Sequence, residues 1–323
     1  MENRTLGRSG IDVSPLGMGC WAIGGPWQFL GNPAGWGTVD DDESVRAVHA
    51  ALAGGITMVD TALNYGAGHS ERVLGRALAG RRDQVVLATK FGFRVDEDAK
   101  QVSHDEPREV ITNLRADCER SLRNLGTDVI DLYQLHVWDY PADLAVELRD
   151  ALEDLVTAGM IRSYGWSTDD ADAARVLAAG EHCTAVQHDL NVVRDAPEVL
   201  ALCEGADLAS VNRSPLARGA LTGKYGRDVT FAADDVRGED WSMRTFFDPA
   251  LDRLDALRDV LTSDGRSLTQ GALAWIWARS GRTVPIPGIR TVAQAEENAA
   301  GIQFGPLTAE QMAQVAELTG STA

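Results

Sequence analysis

Eight short apolar segments alternate with helix-patterned segments along the 323 residues of the chain. This alternation predicts one α/β domain over 1–323, a (β/α)8 TIM barrel with an N-terminal β-hairpin and an extra C-terminal helix. Two further observations support it. The length suits a single barrel, and 44% hydrophobic residues can fill its core. The polar residues that follow the apolar segments would all meet at one face, which is where barrel enzymes keep their chemistry.

The elements follow in order. Residues 5–13 contain Gly7 and Ser9-Gly10 as turn residues and predict a hairpin closing the barrel bottom. The first strand is expected at 14–19. Its Gly17-Met18-Gly19 formally matches a dinucleotide fingerprint, but that motif needs a helix at once, and Gly24-Gly25-Pro26 forbids one. The glycine-rich stretch 24–37, with Trp27, Phe29 and Trp36, reads either as an anchored surface loop or as an apolar wall above the first strand. Further strands are expected at 57–59, 85–89, 130–135, 163–166, 185–188, 208–211 and 284–286. Helices are expected at 43–53, 70–78, 107–125, 142–158, 170–179 and 197–203, several of them stopped by glycine. A long polar and aromatic insertion, about 224–247, follows the seventh strand and reads as a lid on the catalytic face. Thr308-x-x-Gln311 is a capping box that opens the last helix, 308–318.

The formal net charge is −18. It argues against nucleic acid or an anionic membrane as a partner, because both need positive patches. Four scattered cysteines, Cys20, Cys118, Cys183 and Cys203, form no Cys-x-x-Cys pair and read as reduced thiols. The first residues carry no signal-peptide pattern and no apolar run reaches membrane-spanning length, so a cytoplasmic protein is expected. The six histidines show no ligand spacing, and no metal site is expected.

Asp60 ends the second strand, with Tyr65 five residues on. Lys90 ends the third and His136 the fourth. The lysine carries weight because the 30 basic residues comprise 27 Arg and only 3 Lys. Where any cation would do, this chain uses arginine. An ammonium has a pKa that burial and neighbours can move, and a guanidinium cannot replace it in that role. Hydride addition to a carbonyl builds negative charge on oxygen and needs a proton donor there. A phenol with an ordinary pKa near 10 becomes a better acid beside a cation, by roughly 1–3 units. Tyr65 is therefore the expected acid, Lys90 its activator, Asp60 the partner that orients Lys90, and His136 a hydrogen-bond partner for the carbonyl oxygen. The hydride must come from a cofactor. A different reading makes Lys90 a Schiff-base nucleophile of a lyase. Trp21 and Trp138 each follow a catalytic-face strand and are expected to wall the substrate pocket with Tyr65 and His136.

Several segments carry a resemblance: Asp60-Thr61-Ala62 with Tyr65-Gly66, His69-Ser70-Glu71, Ala88-Thr89-Lys90-Phe91-Gly92 and Asp131-Leu132-Tyr133-Gln134-Leu135-His136. Further on are Pro215-Leu216-Ala217-Arg218-Gly219 with Leu221-Thr222-Gly223-Lys224, and Pro285-Ile286-Pro287-Gly288 with Glu297-Asn298. In this order the chain resembles the aldo-keto reductases over essentially its whole length. The resemblance implies NADPH-dependent reduction of small aldehydes and ketones, with Asp60, Tyr65, Lys90 and His136 as the catalytic four. It implies Ser167 and Gln187 as partners of the nicotinamide carboxamide. Thr168 stands where the family often has Asn, and Arg213 where it often stacks a Tyr on the nicotinamide. The whole stretch from Ser214 to Lys224, with Leu216, Arg218 and Gly219 in it, would follow the diphosphate and ribose. Gly288, Arg290, Gln294, Glu297 and Asn298 would hold the adenosine end, with Trp21 and Asp60 also on the cofactor side. Arg290 is the cation nearest that end and would read the 2′-phosphate, or else pair with Glu296 or Glu297. A non-catalytic, nucleotide-binding regulatory subunit is the family's alternative.

Overall fold

The computed structural model describes residues 1–320. Eight parallel strands run in sequential order, Gly17–Gly19, Met58–Asp60, Val86–Phe91, Ile130–Leu135, Ile161–Ser167, Cys183–Asp189, Ala209–Arg213 and Thr283–Pro285. The ring closes between its ends through Gly19 N donating to the Pro287 carbonyl at 2.9 Å and Ile289 N to the Gly19 carbonyl at 3.2 Å. The expected (β/α)8 barrel is what the chain forms, and the expected strands fall on the observed ones within a few residues.

The sequence explains the layering. Strand residues that face the helices join the large outer core, and the inward ones join a smaller cluster of Met58, Val86, Ala88, Leu132, Ala185, Val211 and Val284. Leu6 and Val13 of the N-terminal hairpin (Arg4–Thr5 paired with Asp12–Val13) complete that inner cluster and plug the bottom. Gly7 sits there at φ +53°, where a Cβ would collide with the Thr184 carbonyl. The last helix, Ala309–Thr319, opens on the reciprocal Thr308–Gln311 capping box.

Two features go beyond the sequence pattern. A four-stranded sheet joins Gln28–Phe29 and Asn32–Pro33 to Phe93–Asp96 and Gln101–His104. It turns the glycine-rich stretch into a wall, where Trp27, Phe29 and Ala34 pack with Phe93, Val102, Trp21 and Tyr65. The insertion after the seventh strand is a series of short helical turns, Val236–Gly238, Asp240–Ser242 and Met243–Phe247, feeding the helix Asp248–Leu261. It reaches across the face to the first loop. Val236 N bonds the Gly35 carbonyl at 2.8 Å, and the Arg237 guanidinium lies 4.8 Å from the Trp36 ring.

Candidate active site

The strand ends deliver their polar groups into one place because of register. Lys90 lies beside Gln134, Asp60 beside Gly19 and Ala88, and Ser167 beside Gln187. Lys90 is fully buried, and its ammonium donates to Asp60 Oδ1 at 2.5 Å, to the Thr61 carbonyl at 2.8 Å and towards Tyr65 Oη at 3.4 Å. All three of its N–H bonds are thereby spent. The other Asp60 oxygen accepts from Gln187 Nε2 at 2.9 Å and Gln134 Nε2 at 3.1 Å. One carboxylate thus gathers an ammonium and two amides. A buried ion pair needs such extra hydrogen bonds to offset its desolvation.

Tyr65 is positioned from behind by Gly66, whose φ is +62° and whose missing Cβ lets the loop press on the Gly24 carbonyl. Its ring stacks on Trp21 at 5.8 Å and meets His136 edge-on at 5.6 Å. Burial pushes the phenol's pKa up, and the pull of Lys90 only partly opposes it. The sequence expectation of a net lowered phenol is corrected here: in this setting desolvation outweighs the cation, and Tyr65 is held firmly as the protonated form. For Lys90 burial works against the charge, but Asp60 and Tyr65 outweigh it and raise its pKa. His136 moves well below the usual histidine range, because burial, Lys90 and Arg213 all disfavour the cation. It is a neutral imidazole. Its Nδ1 lies 3.0 Å from Asn64 Oδ1, which puts the proton on Nδ1 and leaves Nε2 an acceptor. Turning the Asn64 amide over would reverse both.

These groups open into a cavity of about 1060 Å³, near the upper end for ligand sites. At the catalytic end it is lined by Trp21, Asp60, Tyr65, His136 and the half-exposed Trp138. Ser167, Gln187, Arg213, Ser214, Leu216, Gly219 and Lys224 line its middle, and Gly288, Arg290, Gln294, Glu297 and Asn298 its far end. Two expected residues are not in the lining, and one of them, Lys90, lies just behind it against Asp60 and Tyr65. Thr168 is buried outside the lining, and its hydroxyl is engaged by the Trp138 carbonyl at 2.9 Å. Arg213 is gripped by Asp189 at 2.6 Å and Asp169 at 2.8 Å, so its edges are taken. At the far end Arg290 pairs with neither Glu296 nor Glu297. Its side chain donates to the Trp36 carbonyl at 3.2 Å, and its amide to Gln294 Oε1 at 3.0 Å. The Val292 amide, first in the following helix, is already taken by Glu43 Oε1 at 2.9 Å.

Sequence reasoning missed Gln134 and Asn64, and it placed Arg218 only as part of the stretch 214–224 along the dinucleotide. Gln134 stood inside a quoted segment, but its bond to Asp60 depends on cross-strand register. Arg218 lines the cavity among aromatic rings without a carboxylate partner. Among the described residues no cluster of three or more metal-ligating groups forms, and no helix is long and apolar enough to cross a membrane.

The family model described as "Aldo/keto reductase family" matches residues 15–319. The chain belongs to this family. Its members are nicotinamide-dependent oxidoreductases, and carbonyl reduction is supported at the level of the family. Among aldo-keto reductases, the chain is 33% identical over 304 residues to aldo-keto reductase YhdN of Bacillus subtilis, covering 92% of this chain and 87% of that one. It is 29% identical over 315 residues to an NADH-specific methylglyoxal reductase of Escherichia coli, covering 94% of each. A solved aldo/keto reductase of Klebsiella pneumoniae, in complex with NADP and acetate, superposes with a TM-score of 0.72 at 26% identity, covering 100% of this chain and 97% of that one.

Proposed function

We propose that this aldo-keto reductase reduces aldehyde and ketone carbonyls to alcohols with NADPH, using Tyr65 as the general acid. The observation that carries the reading is the buried Asp60–Lys90 pair ending 3.4 Å from the Tyr65 hydroxyl at the mouth of a large cavity. As negative charge develops on the carbonyl oxygen, Tyr65 gives up its proton to it. Lys90 stabilises the phenolate left behind, and Asp60 with its two glutamine donors keeps Lys90 in place. His136 stays neutral; the expected bond to the carbonyl oxygen needs its proton on Nε2, the tautomer that goes with the turned Asn64 amide, whereas with the proton on Nδ1 its Nε2 accepts from the product hydroxyl. Trp21 and Trp138 give the carbonyl apolar walls.

The residues present fit a nicotinamide dinucleotide. Among the described residues the Ser167 hydroxyl has no protein partner, and Gln187 keeps its carbonyl oxygen free of Asp60. Both suit the carboxamide. Arg290 would take the 2′-phosphate, since a guanidinium with unspent N–H groups can grip two oxygens. The bound cofactor supplies the hydride. NADPH is the finer choice within a family that also has an NADH-specific member among this chain's relatives. The Klebsiella pneumoniae relative in complex with NADP favours it.

The Schiff-base reading is weakened by the three spent N–H bonds of Lys90 and its raised pKa, which deny it a nucleophilic lone pair. The regulatory reading asks for no complete proton-donor group, yet all four catalytic residues are in place. Loss of NADPH absorbance with a panel of small aldehydes, including 4-nitrobenzaldehyde, tests the proposal. Turnover is expected, and silence across the panel at saturating NADPH would favour the regulatory role.

A further inference from the structure

Among the described residues Arg218, Lys224 and Arg290 line the cleft without an ion pair, and Arg218 is the one packed against Trp21. Arg218 follows the seventh strand in a left-handed stretch, with Ala217 at φ 45° and Arg218 itself at φ 55°. Its guanidinium lies 4.2 Å from the Trp241 ring, 4.3 Å from Phe246 and 5.0 Å from Trp21. One nitrogen donates to Ser242 Oγ at 2.9 Å, while Nε has no partner. No carboxylate lies within ion-pair distance of it among the described residues. Its neighbours are treated differently: Arg213 is held by Asp169 and Asp189, and Arg237 by Asp235. In a chain with 48 acidic residues against 30 basic ones, an unpaired arginine inside the main cavity is conspicuous. Burial among the rings works against the charge and lowers its pKa to about 9. A desolvated cation of this kind is costly until an anion reaches it.

The geometry defines what that anion would be. A flat guanidinium between aromatic faces presents its edges, and those edges match two oxygens of a carboxylate or phosphate. The position defines where it comes from. Trp21, which Arg218 touches on one side, stacks on the catalytic Tyr65, so Arg218 sits about one aromatic ring from the proton donor.

Building on the carbonyl-reductase reading, we propose that Arg218 binds an anionic group of the substrate, so that the preferred substrates are aldehydes or ketones carrying a carboxylate or phosphate. The same oxyanion chemistry is present in the diphosphate of the dinucleotide. The contact with Trp21, and through it the closeness to Tyr65, favours the substrate.

The test compares 4-carboxybenzaldehyde with its neutral methyl ester, methyl 4-formylbenzoate, at saturating NADPH, in the full-length protein. The unaltered enzyme is expected to favour the acid in kcat/KM by about 10- to 100-fold, the scale of hydrogen bonds to a charged group. Arg218→Met should collapse that ratio towards one, mainly through KM, and Arg218→Lys should restore part of it. NADPH affinity, read by tryptophan fluorescence, should shift less than about threefold, on the same scale of reasoning. A loss shared equally by acid and ester, with NADPH weakened about tenfold, would place Arg218 on the dinucleotide and overturn the inference. A measurement on the unaltered enzyme needs no variant to fold: benzoate should compete with the neutral ester, while benzamide should not. Equal inhibition by the two also overturns it. Turnover of the ester without preference for the acid removes this inference and leaves the reductase reading standing, whereas no turnover of either removes both.

Discussion

Replacing Asp60 by Asn probes the group on which the site is assembled. Lys90 and Asp60 are 0% and 2% exposed, so solvent screens neither. Asp60 accepts from three donors with two oxygens: Lys90 at one, Gln134 and Gln187 at the other. Asparagine has a single oxygen and an NH2. Whichever way it turns, it sets an amide donor against the ammonium or against the two glutamine amides. Lys90 also loses the main charge that holds its pKa up, leaving only Tyr65 to oppose burial. Breaking one partner of a buried pair costs about 3–5 kcal/mol, and that is the loss expected for Asp60→Asn. Equilibrium urea unfolding at pH 7 measures it. The double variant Asp60→Asn with Lys90→Met removes the stranded cation, so it should be more stable than Asp60→Asn alone. A single-variant loss under about 1 kcal/mol, the scale of an exposed pair, or a double variant less stable than the single, would refute the claim that the pair is a desolvated unit.

Arg290→Ala should weaken NADPH by about 1.5–3 kcal/mol, the scale of a hydrogen bond to a charged group, and leave NADH nearly unchanged; fluorescence titration of both nucleotides reads this, and equal losses would remove Arg290 from phosphate recognition. His136 is held below its ordinary pKa of about 6.5, so the folded state binds fewer protons there than the unfolded one. Its contribution is full above pH 6.5 and is lost as pH falls through the window beneath, with a slope up to about 1.4 kcal/mol per pH unit. Urea midpoints at pH 5 and pH 7 should differ less in His136→Gln than in the unaltered protein, and an unchanged difference would count against this. His188, lowered by burial to about 4, remains in both proteins and contributes the same trend.

The barrel was legible because most of its strands are short apolar runs closed by a polar residue, and Gly126 and Gly159 mark stops that local chemistry makes clear. The four candidate residues came into view in a related way: Asp60, Lys90 and His136 each end or follow such a run, and Tyr65 lies in the loop after the second. The sheet uniting residues 28–33 with 93–104 was not, because two-residue strands are too short to show a period. The neighbours Ser167 and Thr168 looked alike as strand-end hydroxyls. One lines the cavity and the other bonds the Trp138 carbonyl, because the chain turns out of the strand between them. The partners of Asp60 could not be read either, since Gln134 and Gln187 reach it only through the barrel's register. The sign of the Tyr65 shift rests on a balance between burial and Lys90 that adjacency in a list of strand ends does not contain. Arg218 was legible only as one residue of the stretch 214–224, because what sets it apart, aromatic rings around it and no carboxylate partner, exists only in space.

The role of Tyr65 is tested most directly by hydride transfer in a single turnover, with NADPH already bound and a small aldehyde added by rapid mixing. Loss of a general acid costs about 10²–10⁴ in rate, so Tyr65→Phe should slow NADPH oxidation by that factor. Its phenol is proposed to serve chemistry and not nucleotide anchoring, so NADPH affinity should stay within about threefold, well under one hydrogen bond to a charged group. A Tyr65→Phe protein that binds NADPH normally and keeps more than about a tenth of the rate, far short of a lost acid, would contradict the assignment and move the proton donor to another group.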